Sequence, residues 1–70
     1  MNLGRSAIDT LRDALALSEE RAAGKPNRNY RMAASFEDWR RSHPELIAAG
    51  LMSEDGGITD AGRAALEAAS

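Results

Sequence analysis

Apolar positions along the first third of the chain recur with a helical period. Ile8, Leu11, Leu15, Ser18 and Ala22 are spaced by three or four residues, which places them on one face of an α-helix. Ser6 followed by Asp9 has the form of a capping box, and Leu3 stands where a hydrophobic staple would close over the start. The pattern therefore predicts a first helix beginning at Ser6. Leu17 falls off the main stripe, so it either widens the buried face or touches a partner. Ala22-Ala23-Gly24 followed by Lys25-Pro26 predicts the stop, with glycine closing the helix and proline beyond it. Asn29 to Met32 alternates polar and larger side chains, the period of a short strand.

A second capping box, Ser35-Phe36-Glu37-Asp38, opens the next helix, with Phe36 and Trp39 on one face and Arg40 and Arg41 beside them. Proline removes an amide donor and disfavours helical dihedrals at the residue before it. This helix is thus expected to stop or kink at His43, and Pro44 to open another of about two turns. His43 reads as a junction residue. Leu46 and Ile47 give that second helix an apolar face, and Gly50 suits the left-handed conformation that closes it. Leu51-Met52-Ser53 and Gly57-Ile58-Thr59 can pair as a minimal β-hairpin around the turn Glu54-Asp55-Gly56-Gly57. Thr59 is placed to cap a final helix, with Asp60 facing the positive end of its dipole. That helix is expected to bury Ala61, Ala64 (or Ala65) and Leu66. Gly62 inside it costs about 1 kcal/mol relative to alanine, which points to a close backbone approach.

Seventy residues make one domain, residues 1–70, of mainly α class. Its core is thin, because much of the 43% apolar content is alanine. The fifteen larger candidates are Leu3, Ile8, Leu11, Leu15, Leu17, Tyr30, Met32, Phe36, Trp39, Leu46, Ile47, Leu51, Met52, Ile58 and Leu66. So small a reserve favours self-association, with a homodimer as the simplest form. The chain has no cysteine and a single histidine, which leaves no thiolate chemistry and no zinc ligand set. No nucleophile has a neighbouring base and no glycine loop suits a phosphate, so neither enzymatic activity nor a cofactor is expected. No apolar run approaches the roughly 20 residues that span a bilayer, and the N-terminus lacks the order of a signal peptide. A cytoplasmic protein without membrane contact is the simplest expectation.

The net charge of −2 argues against blanket attraction to nucleic acid, but the charge is unevenly placed. Residues 1–24 carry −1, residues 25–44 carry +3 and residues 45–70 carry −4. The basic segment supplies Lys25, Arg28, Arg31, Arg40 and Arg41, with Tyr30 among them. Arginine forks suit phosphate oxygens or carboxylates, and an aromatic ring can stack or anchor. These six residues are the candidate contacts to nucleic acid or a protein partner. The plainer reading of residues 25–31 is a solvated loop whose tyrosine packs on the core.

Leu46-x-x-x-Gly50-Leu51, followed by Gly57-Ile58-Thr59-Asp60-Ala61-Gly62-Arg63-x-x-Leu66, resembles the winged-helix (winged helix-turn-helix) domains of bacterial and phage transcription regulators. The match covers about a third of the chain; the rest agrees in element order. The resemblance implies a helix, short strand, helix, helix, minimal β-hairpin and final helix. It further implies a small DNA-binding or transcription-accessory protein acting on double-stranded DNA, with Arg28, Arg31, Arg40 and Arg41 on phosphates. The chain departs from the family at two points. Pro44 interrupts the reading helix, where Glu45 is the one outward polar group, and Glu54 and Asp55 at the wing tip would repel a phosphate backbone. A second function class follows from those departures: a phage- or operon-encoded inhibitor or adaptor that keeps the fold without reading DNA. Tyr30, Trp39 and the arginines would be its anchors, and the acidic C-terminal half would meet a basic partner surface.

Overall fold

A computed structural model of the chain describes residues 3–24 and 32–69. Three helices carry it: α1 (Arg5–Ala22), α2 (Phe36–Ala48) and α3 (Asp60–Ala69). Both α2 and α3 pack against α1, which is the central element. Leu11 and Ala14 of α1, Leu46 of α2, Leu51 and Met52 of the following loop, and Leu66 of α3 form one buried cluster. Leu3, Ile8, Leu15, Trp39, Ile47 and Ile58 pack around it, half-buried. Full burial of each large aliphatic side chain contributes about 1.5–3 kcal/mol.

The start of α1 lies slightly upstream of the expected Ser6. Gly4 is the cap residue and makes no side-chain cap bond. Ser6 lies inside the first turn, and its carbonyl accepts a 2.7 Å hydrogen bond from the hydroxyl of the buried Thr10. Asp9, instead of completing a box, lies 3.9 Å from Arg5 and 3.5 Å from Arg12 along the helix surface. The far end follows the sequence signal. Gly24 adopts φ +75° and its amide donates to the carbonyl of Arg21 at 3.0 Å.

The expected division at Pro44 does not occur: α2 runs unbroken from Phe36 to Ala48 with Pro44 inside it. The reason lies in where the missing hydrogen bond falls. Pro44 cannot donate to the carbonyl of Arg40, but both residues are on the exposed face, where water can satisfy that oxygen. Ser42 and Leu46 are buried on the opposite face and hold the helix to α1 across the proline. The other signals of α2 operate as expected. The Asp38 amide donates to Ser35 Oγ at 3.2 Å. At the C-terminal end, Gly50 at φ +77° donates to Ile47 and Leu51 donates to Leu46, at 3.0 and 2.9 Å. These two bonds are those of a Schellman closure, and they turn Leu51 back into the core.

Residues 51–59 form a closed loop and not a two-stranded hairpin. One antiparallel bridge joins Met52 to Ile58, and neither side extends into a strand among the described residues. Ser53 donates to Gly57 at 2.9 Å and Thr59 to Leu51 at 3.2 Å, so the two arms are fastened at just a few points. The arms are too short for a ladder because both ends are taken by helix caps. Of the two glycines at the turn, Gly56 supplies the positive φ (+91°). The short strand expected over Asn29 to Met32 falls mostly outside the described residues, and Met32 itself is irregular.

Thr59 caps α3 as expected: its Oγ1 accepts from the Gly62 amide at 3.0 Å and donates to the Gly50 carbonyl at 2.7 Å. Gly62 is packed so closely that a Cβ there would sit 2.0 Å from the Leu51 carbonyl oxygen. This contact sets the rotation of α3. Gly62 and Leu66 are buried; of the alternatives Ala64 or Ala65 it is Ala65 that turns inward, half-buried, whereas Ala61, also expected in the core, faces outward with Ala64.

Candidate interaction surface on α2

The N-terminal half of α2 begins where three separate hydrogen bonds converge. Asp13, in the middle of α1 and 3% exposed, accepts from the amides of Ala33 and Ala34 at 2.6 and 2.9 Å. Ser35 then caps the helix through the Asp38 amide. Together these bonds fix the direction in which the first helical residue, Phe36, leaves the backbone. It points into solvent and is 73% exposed, contrary to its expected place in the core. Met32, another expected core residue, is 37% exposed. The physical reason is phase. Trp39, Ser42 and Leu46 define the inward face of α2; Phe36, in the first turn, sits at the edge of that face, about 60° from Trp39, and Arg40 lies further round toward solvent.

Arg40, one turn after Phe36, carries its guanidinium 5.9 Å from the centre of the phenyl ring, a cation–π arrangement at an exposed site. Arg41 forms an ion pair with Asp38. Glu37, Arg40 and Arg41 line a shallow hollow of about 250 Å³. The surface therefore combines one exposed aromatic, one arginine laid over it and a second arginine held by a carboxylate. Of the six sequence candidates, Arg40 and Arg41 are brought onto this face; Lys25, Arg28, Tyr30 and Arg31 lie outside the described residues.

Trp39 turns inward and stacks on His43, with ring centres 4.2 Å apart and planes inclined by 16°. Its half-buried position fits packing better than a solvent-facing anchor. His43 is accordingly a helix-interior residue and not a junction; its Nε2 is buried without a hydrogen-bond partner.

The loop of residues 51–59 is tied to the C-terminal half of α1. Ser18 Oγ accepts from the Ile58 amide at 2.9 Å, and Leu17 lies under Gly56. Leu17 thus belongs to a widened buried face. Arg21 pairs with the Asp55 carboxylate at 3.2 Å and donates to its carbonyl at 2.9 Å. Asp55 also accepts from the Ser53 hydroxyl and, at 3.0 Å, from the Gly57 amide. Those contacts hold its pKa below the usual aspartate value; the Ser53 hydroxyl has the largest effect, then the Gly57 amide, opposed by desolvation, with Arg21 lowering it further. The carboxylate is thus used within the loop, while Glu54 stays exposed at the tip.

Two residues of this site are not flagged by the hydrophobic pattern as functional: Phe36, which its aromatic character assigns to a core, and Asp13. The signal for Asp13 is available in retrospect. It sits with Thr10 on the same stripe as Leu11 and Ala14, and a carboxylate there requires buried donors.

No cluster of three metal-ligating side chains occurs among the described residues, and no helix is long and apolar enough to cross a membrane. The chain matches no protein-family model, and no curated protein or solved structure matches it.

Proposed function

We propose that this chain is a reduced winged-helix-like module that works by protein–protein contact, presenting the outer face of the first half of α2. The winged-helix part of this reading is supported by the capped return through Ile58-Thr59 into a last helix packed on the first; the hairpin and the separate reading helix of that order are not formed among the described residues. The contact part rests on one observation, the exposed Phe36 ring with Arg40 laid across it. Aromatic and arginine side chains are the residues that most often carry interface energy. Covering the ring would contribute roughly 1.5–3 kcal/mol. Reading of base edges has less support, because an unbroken α2 provides no helix–turn–helix, and its outer face mixes Glu37 and Glu45 with the arginines.

Affinity capture from native extract tests the proposal. Wild-type protein should retain a protein partner after nuclease treatment, and Phe36→Ala or Arg40→Ala should lose it. A partner retained equally by both variants would refute the assignment to this face.

Double-stranded DNA is the second reading, favoured by the exposure of Arg40 and Arg41, which share the net-positive segment 25–44 with Lys25, Arg28 and Arg31. It predicts retardation of a duplex at low salt that falls steeply as salt rises. Retardation that persists after Arg40→Ala and Arg41→Ala together would place any DNA contact elsewhere.

A further inference from the structure

Arg5, Arg12, Arg21 and Arg41 each stand within ion-pair distance of a carboxylate, whereas Arg40 has none among the described residues. Its guanidinium lies over the Phe36 ring instead, 5.9 Å from the ring centre. Glu37, three residues before it on the same helix, pairs with neither Arg40 nor Arg41. Phe36, Arg40 and Pro44 follow one another at intervals of four residues, about 40° apart round α2, and all three are exposed. The half-buried Ile47 continues the row. Asp38 and Glu45 lie about 140–160° round the helix from Arg40, and the Asp38 carboxylate is engaged by Arg41. The row is thus apolar with one cation in it, and that cation is not neutralised within the chain.

We infer that the partner meets this row with an acidic amphipathic segment: one carboxylate takes the free edge of the Arg40 guanidinium, and an apolar side chain beside it covers Phe36. The inference rests on the reading of α2 as a protein-contact face and follows from desolvation. Whatever covers the Phe36 ring also takes water from the guanidinium lying over it. A guanidinium buried without a counter-charge costs more than covering one phenyl ring returns. The attraction of the ring for the cation offsets only a small part of that cost. This chain does not supply the missing carboxylate, so the partner must. A carboxylate also matches the guanidinium fork with two parallel hydrogen bonds. The acid and the apolar residue are neighbours on the partner surface, three or four residues apart on a helix or two apart in an extended segment. A run of phosphates fits less well than a single carboxylate. Glu37, Asp38 and Glu45 outnumber Arg40 and Arg41 on α2, so a polyanion meets a helix of its own sign.

Selection from a displayed library of random short peptides against the full chain, at an ionic strength near 0.15 M, tests the inference. Peptides enriched on wild-type protein but not on Phe36→Ala should carry an aspartate or glutamate at one of those spacings from an aromatic or aliphatic residue. For a synthesised member, replacing the acid by its amide should weaken binding to wild type by about tenfold or more, and binding to Arg40→Gln by less than about twofold. Both variants change exposed side chains, and circular dichroism is the control for their folding. Phe36-dependent peptides that lack an acid, or an amide replacement that weakens binding equally to wild type and Arg40→Gln, would overturn the acidic partner and leave the Phe36 face standing. Absence of any Phe36-dependent peptide would overturn that face and this inference with it. Displacement of the bound peptide by oligothymidylate would assign the row to nucleic acid and overturn the inference as well.

Discussion

Adding one methyl group at Gly62 sets two effects of opposite sign against each other. In an exposed helix, glycine to alanine is stabilising by about 1 kcal/mol through backbone entropy. Here the added Cβ would lie 2.0 Å from the Leu51 carbonyl oxygen and 2.8 Å from Ile58 Cγ1. Carbon does not normally approach a carbonyl oxygen closer than about 3.3 Å, so α3 would have to withdraw by about 1.3 Å. The neighbour is backbone, and rotamer change cannot relieve it. Withdrawal strains the 3.2 Å bond from Thr59 to Leu51 and the 2.7 Å bond from Thr59 Oγ1 to Gly50. Overpacking of this kind costs about 1–3 kcal/mol, and partial loss of two hydrogen bonds adds about 1 kcal/mol. Against the propensity gain, Gly62→Ala should be destabilising by about 2 kcal/mol. In a chain of this length that is a large fraction of a total of roughly 4–10 kcal/mol. Urea denaturation followed by circular dichroism measures it directly, and the melting temperature should fall by about 8–16 °C. Ala61→Gly, on the exposed side of the same helix, is the control and should cost about 1 kcal/mol by propensity. Gly62→Ala that is neutral or stabilising would refute the close approach of α3 to Leu51.

Three further perturbations separate the other structural elements. Asp13→Asn keeps the shape but puts an amide donor against the Ala33 and Ala34 donors, and should cost about 1–3 kcal/mol by chemical denaturation; unchanged stability would show that the carboxylate does not hold residues 33 and 34. Pro44→Ala returns the amide that Arg40 lacks, so thermal melting should rise by the equivalent of about 1–3 kcal/mol if α2 is continuous, and stay unchanged if the chain breaks there. Asp55 has a folded-state pKa below its ordinary value of 3.8, so its ionised form binds the loop and its contribution is fully present above that value. The contribution is lost as pH falls through the folded-state pKa. The stability difference between wild type and Asp55→Asn should therefore be level near neutrality and narrow below about pH 4. A difference that persists unchanged in acid would rule out ionisation as its origin.

What was legible in the sequence is mostly what short-range chemistry controls. Ser35, Gly24, Gly50 and Thr59 act as caps and stops within a few residues of where they stand, so their roles follow from local hydrogen-bond geometry. The close approach at Gly62 was legible too, since a costly residue in a helix needs a reason. Pro44 shows the limit of such reasoning. Its local preference is real, but burial of Ser42 and Leu46 on the far side of α2 outweighs the loss of one solvent-facing hydrogen bond. The arms around Gly56 show the same limit from the other side, because alternating residues satisfy a strand pattern that has no room to form a ladder.

The candidate surface was half legible. Charge pattern alone picks out Arg40 and Arg41, but whether an aromatic faces the core or water depends on the rotation of its helix about its axis. That rotation is set by contacts with α1, residues distant in sequence. Phe36 consequently changes from core to surface once α2 is docked, and Ala61 changes likewise once Gly62 is seated on Leu51.

By itself, the order of residues in this chain determined the caps at Ser35 and Thr59, the stops at Gly24 and Gly50 and a thin apolar stripe for each helix, while the division it suggested at Pro44 and the cap it suggested at Ser6 are not formed. Those features depend on interactions within one or two turns. Tertiary structure decided that α2 continues through Pro44, that Asp13 is buried under the start of α2, and which side chains remain outside. The difference is one of range: caps and turns are satisfied locally, whereas helix phase and the fate of a buried carboxylate are settled by the elements packed against them.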